Sequence, residues 1–108
     1  MAKYLLIESR DPFETKDVSY YYDLARGLVR EKHTVTLFLV QNGVLPARQG
    51  SKAVDLTALA QSGVRVLADR FSLKERGIPA GRLVPGVEAA PLDVVVDQLE
   101  EGVKAMWH

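Results

Sequence analysis

The chain has 108 residues, 47% of them hydrophobic and 26% charged, with 14 Lys plus Arg against 14 Asp plus Glu. That is one domain's length, and this composition excludes disorder, a collagen-like repeat and a coiled coil. A net charge of zero gives no long-range attraction to nucleic acid or anionic lipid, so neither is expected as a partner. There is no Cys, which removes disulfides, thiolate nucleophiles, persulfide carriers and thiolate metal sites. With only His33 and His108 beside that absence, a structural zinc site lacks ligands, and neither metal nor cofactor is expected.

The elements follow in order. Lys3 to Glu8 is an apolar run too short for a helix and reads as a strand buried on both faces. Met1-Ala2-Lys3 enters it without a secretory hydrophobic region. A helix capped by Asp17 or Ser19 then carries Val18, Tyr21, Tyr22, Ala25, Leu28 and Val29 on one face. Gly27 within it suggests close helix–sheet packing, and the helix should stop near Glu31 to His33, where cations complement its dipole. Thr34 to Val40 is the strongest strand, rich in β-branched and aromatic residues, and far too short to span a membrane. Gln41-Asn42-Gly43 turns into a loop, after which Ser51 opens a helix with Val54, Leu56, Leu59 and Ala60, closed by Gly63.

Val64 to Ala68 is a third strand, followed by a short helix over Phe71 to Arg76, capped by Ser72 or Asp69 and stopped by Gly77 and Pro79. Leu83 to Ala89 is a weak fourth strand, a fourth helix runs from Pro91 or Asp93 to Gly102, and Val103 to Trp107 is a fifth strand. This alternation predicts a single α/β domain over residues 1–108, three layers deep, with a mostly parallel five-stranded sheet between helices.

In such sheets ligands bind beyond the carboxyl ends of the strands. Those ends supply Glu8, Arg10 and Asp11 after the first strand, Gln41 and Asn42 after the second, and Asp69 and Arg70 after the third. Known phosphate cradles do not fit. No Gly-Lys-Ser/Thr loop exists, and the first loop has no Gly between Ser9 and Arg26, which disfavours dinucleotide and flavin binding. Glu8, Asp11 and Asp69 suit Mg²⁺ in a receiver-like arrangement. However, the fourth strand ends without Ser or Thr, and Lys104 lies at the start of the fifth strand rather than its end.

Three stretches carry a family resemblance: Lys3 to Leu28, with its strand, Pro-aromatic loop and aromatic helix; Val35 to Ala47; and Gly63 to Ile78. Together with the strand ending at Trp107 they resemble the DsrE/DsrF/TusD-like family of small intracellular sulfur-relay proteins over nearly the whole chain. The resemblance implies this fold, a cytoplasmic setting and homo- or hetero-oligomers. In members that carry sulfur, a Cys ends the third strand before the Arg-Gly-Ile turn; counting back from Arg76-Gly77-Ile78, that place falls on or next to Asp69. A carboxylate cannot be persulfidated, so sulfur transfer does not carry over.

Each candidate has two readings. Asp69 is a helix N-cap or a ligand group, and an N-cap position also suits anions where its N–H groups are free. Arg10 is a solvated loop residue or an anion clamp, and Asn42 a turn residue or a ligand contact. Tyr20, Tyr21 and Tyr22 span about 200° of a helix, so at least one faces outward, in water or against another subunit. His33 reads as a surface residue at the helix end. Trp107 reads as a closing core side chain or a subunit contact. The expectation is a cytoplasmic homo-oligomer (dimer, trimer or hexamer) acting as a non-catalytic binding or assembly subunit linked to sulfur metabolism. Its polar pocket would comprise Arg10, Asp11, Gln41, Asn42, Asp69 and Arg70, and its contacts Tyr20, Tyr21 and Trp107. The alternatives are a small enzyme with Asp69 or Glu8 as base and Arg10 holding an anionic substrate, or a subunit whose DsrE-family partner supplies the Cys.

Overall fold

The apolar runs form five strands: β1 (Lys3–Glu8), β2 (Thr34–Leu39), β3 (Arg65–Asp69), β4 (Val87–Ala90) and β5 (Lys104–Trp107). They are seen in a computed structural model that describes residues 2–51 and 56–108. The sheet order is β4-β3-β2-β1-β5, and every neighbouring pair is parallel. The expected mostly parallel sheet is thus parallel throughout. The chain steps outward from β1 to β4 and then returns to the other side of β1. The crevice between β1 and β5 is therefore the point where strand order reverses, the place where open α/β sheets bind ligands.

Four helices, α1 (Asp17–Arg30), α2 (Leu56–Gln61), α3 (Arg70–Glu75) and α4 (Asp93–Glu100), complete three layers. Side chains alternate along each strand. Leu6, Leu37, Leu39, Val66 and Val87 therefore meet Val18, Tyr22 and Ala25 of α1, Leu56 and Leu59 of α2 and Leu73 of α3. On the opposite face Leu5, Ile7, Phe38, Val40 and Leu67 pack with Val95 of α4. Coverage on both sides is why β1 and β2 read as continuous apolar runs, and each such large side chain contributes about 1.5–3 kcal/mol by burial. Strand β5 differs, being exposed at all four positions.

Several local expectations change. Lys16 occupies the N-cap position of α1 and makes no side-chain cap, while Thr15 Oγ1 accepts from Asp17 N at 3.2 Å, so neither Asp17 nor Ser19 caps this helix. A Cβ at Gly27 would meet nothing within 4 Å, which rules out close packing there. The helix ends through Lys32 at φ 67°, and His33 turns inward: its Nδ1 accepts from Ala2 N at 3.0 Å and its ring sits edge-on to Tyr4. Gly63 closes α2 at φ 111°, as expected. Ser51, expected to open that helix, lies outside it, and Val54 falls outside the described residues. The loop after β2 contains a 3₁₀ helix over Gln41–Ala47. The expected Leu83–Ala89 strand divides: Leu83 forms an isolated antiparallel bridge with Arg48, and pairing resumes at Val87 after Pro85 and Gly86. Among the described residues no helix is long and apolar enough to cross a membrane.

Candidate functional site

The carboxyl edge of the sheet is organised around two separate hydrogen-bonded groups. The first lies between the ends of β2 and β3. Asp69 ends β3 in an extended conformation, and its Oδ2 accepts from Ser72 N at 3.0 Å and Ser72 Oγ at 2.8 Å. The Ser72 hydroxyl in turn accepts from Gln41 N at 2.8 Å. Asp69 and Ser72 are both buried, so Asp69 is the N-cap of α3, and the capped serine ties the loop after β2 to that helix. Asn42 Oδ1 accepts from Arg76 Nε at 3.1 Å, a second tie between the same two segments. Ser72 and Arg76 were not read as site residues in the sequence. The capping-box spacing of Ser72 offered a signal for it; nothing local offered one for Arg76.

The second group lies at the β1/β5 switch point. Glu8 is fully buried, and its carboxylate accepts from His108 Nδ1 at 2.8 and 3.0 Å and from Arg10 N at 3.2 Å. The register that opposes Ile7 to Trp107 sets the next residues, Glu8 and His108, side by side. Backbone bonds lock the pair: Ser9 N donates to His108 O at 3.0 Å and His108 N to Ile7 O at 2.9 Å. The His108 ring stacks on Tyr21 with centroids 5.2 Å apart, while Tyr21 Oη donates to Met106 O at 2.7 Å. Gly43 packs its Cα against the Glu8 carbonyl so closely that a Cβ there would overlap the oxygen.

Burial, with Glu8 nearby, pushes the Tyr21 hydroxyl up to about 12. Tyr22 is raised further by the same causes together with Asp11, and its buried hydroxyl has no partner among the described residues. Asp11 is buried too, and its Oδ1 accepts from Phe13 N at 3.0 Å to shape the loop.

Arg10 and Arg70 are exposed, and no hydrogen bond or ion pair of the described residues joins Arg10 or Asp11 to the Asp69 group. The six expected pocket residues therefore divide: Gln41, Asn42 and Asp69 belong together, while Asp11 shapes its own loop and acts on Tyr22. A cleft of about 380 Å³ lies at the opposite, amino edge, lined by Lys3, Thr36, Arg65, Asp97 and Gln98 among others, and holds none of the six. Among the described residues no three His, Asp or Glu are arranged to hold a metal ion. Tyr20 is 73% exposed and Trp107 68%, the latter donating from Nε1 to Ser9 Oγ at 3.3 Å. Trp107 therefore does not close the core: β5 is an edge strand with all four positions exposed.

Fold and edge together define a five-stranded, wholly parallel α/β protein with its polar groups at the carboxyl ends of the strands. No family model matches the chain, and no curated protein matches it. Among solved structures it is similar to a protein of unknown function, MTH1491, from Methanobacterium thermoautotrophicum (TM-score 0.85, 20% identity, all of both chains covered). It is equally similar to the ychN protein from E. coli, with a TM-score of 0.85 and 23% identity over all of both chains. A conserved protein of unknown function, BT1422, from Bacteroides thetaiotaomicron matches less well (TM-score 0.69, 16% identity), covering 98% of this chain and 94% of that one. These likenesses establish the fold.

Proposed function

We propose that the protein is a DsrE-like, cytoplasmic, oligomeric binding or assembly subunit linked to sulfur metabolism and unable itself to carry a persulfide. The observation that carries this reading is Asp69. By the resemblance it stands at or next to the place where sulfur-carrying members have a Cys, and its carboxylate is engaged as the buried cap of α3 in a chain without Cys. The same engagement weakens Asp69 as the base of a small enzyme.

Assembly is supported by the uncovered apolar surface. Trp107 and Met106 on the edge strand, Tyr20 on α1, and Leu92, Val96 and Leu99 at one-stripe spacing along α4 are all exposed large side chains. Native mass spectrometry of protein isolated gently from its source tests the proposal. A homo-oligomer, converted to smaller species by Tyr20→Ser with Trp107→Ser, is the expected result. A monomer at about 10 μM, well above the dissociation constants of stable assemblies, would overturn it. A co-purifying partner that carries a persulfidated Cys would instead make this chain the Cys-free half of a hetero-oligomer.

A further inference from the structure

The Glu8–His108 pair has a chemical consequence that an assembly role does not use. In the tautomer that pairs with an ionised Glu8, Nδ1 carries the proton, because a carboxylate only accepts hydrogen bonds. In the neutral ring the lone pair is then on Nε2, which has no partner among the described residues. The ring is held by the Tyr21 face on one side and by the two backbone bonds of His108 to β1, so the lone pair has a fixed direction. All of this lies in the crevice at the strand-order reversal.

The geometry points to His108 Nε2 as a proton-accepting site, a general base oriented by Glu8, for water or a small hydroxyl-bearing molecule seated at the β1/β5 edge. In the step, the O–H bond of the bound molecule breaks as its oxygen attacks the acyl carbon of an activated ester, and the proton passes to Nε2. The ester C–O bond then breaks, its electron pair leaves with the departing oxygen, and the imidazolium gives the proton to that oxygen or to solvent, which restores the base. Glu8 is the positioning residue.

His33 is an internal control. Its side chain is 21% exposed against 24% for His108, but its Nδ1 lone pair is already taken by Ala2 N. Carbethoxylation by diethyl pyrocarbonate, followed by peptide mass mapping, should modify His108 at least about tenfold faster than His33, because exposure is matched and only lone-pair availability differs. Hydrolysis of p-nitrophenyl acetate, with water as the proton donor and p-nitrophenolate as the leaving group, tests the base itself. His108→Gln should lower the rate to that of protein lacking the site. Glu8→Gln, close in shape and folded by circular dichroism, should lower it several-fold. Equal modification of both histidines, or esterolysis unchanged in His108→Gln, would overturn the proposal and leave the pair as a clamp between β1 and β5. The oligomeric state of each variant, measured in parallel, keeps this outcome separate from any failure of assembly.

Discussion

Replacing Asp69 with Ala removes one acceptor atom that serves two donors. Loss of an N-cap costs about 1 kcal/mol. Here the cap also receives the Ser72 hydroxyl, which is buried and itself accepts from Gln41 N at 2.8 Å. An orphaned buried donor adds about 1–3 kcal/mol, so a total of about 2–4 kcal/mol is expected. For a domain of this size that lowers the melting temperature by roughly 10–20 °C. Asp69→Asn keeps an acceptor oxygen and loses the charge, and should cost about 1 kcal/mol.

The assay is urea unfolding followed by far-ultraviolet circular dichroism at one fixed protein concentration, because assembly raises apparent stability. The midpoint should fall with an unchanged slope. In a double-mutant cycle, Asp69→Ala and Ser72→Ala should couple by about 1 kcal/mol, since they remove the same contact. If Asp69→Ala stays within about 0.5 kcal/mol of the parent, the carboxylate does not hold α3, and its place at the strand end must serve a ligand instead.

Two glycines should respond in opposite directions in the same assay. Gly43→Ala forces a methyl into the Glu8 carbonyl, a main-chain atom that cannot yield cheaply, and should cost about 1–3 kcal/mol; Gly27→Ala, with open space around it, should gain about 1 kcal/mol. Tyr22→Phe removes a buried hydroxyl without a partner among the described residues and should be neutral or stabilising by up to about 1 kcal/mol; a clear loss would show that ordered water satisfies the hydroxyl. In a phenolate absorbance titration Tyr21 should ionise near 12 and Tyr22 later still. Because the folded chain holds these protons after the unfolded chain, with tyrosines near ~10, has lost them, the associated stability is full below that pH and disappears as pH rises toward Tyr21's value. Ionisation of all four tyrosines together would refute the burial assigned to these two.

What the sequence determined by itself is local. Continuous apolar runs in β1 and β2, the helical spacing of Val18, Tyr22 and Ala25, and Gly63 at a helix end each encode an element through the period of its own side chains. Their alternation was enough to imply a parallel α/β sheet. Asp69 as a cap was legible for the same reason, since its partner Ser72 is three residues away. The tertiary structure alone decided what depends on strand order. Placing β5 beside β1 brings His108 to Glu8, residues 100 apart in the chain, and leaves Trp107 on an open edge instead of in the core. Gly43 belongs with them, because its lack of a side chain answers to the carbonyl of Glu8 and not to its own turn. Neither strand order nor backbone approach leaves a periodic trace, because both are settled by which surfaces pack once the elements exist.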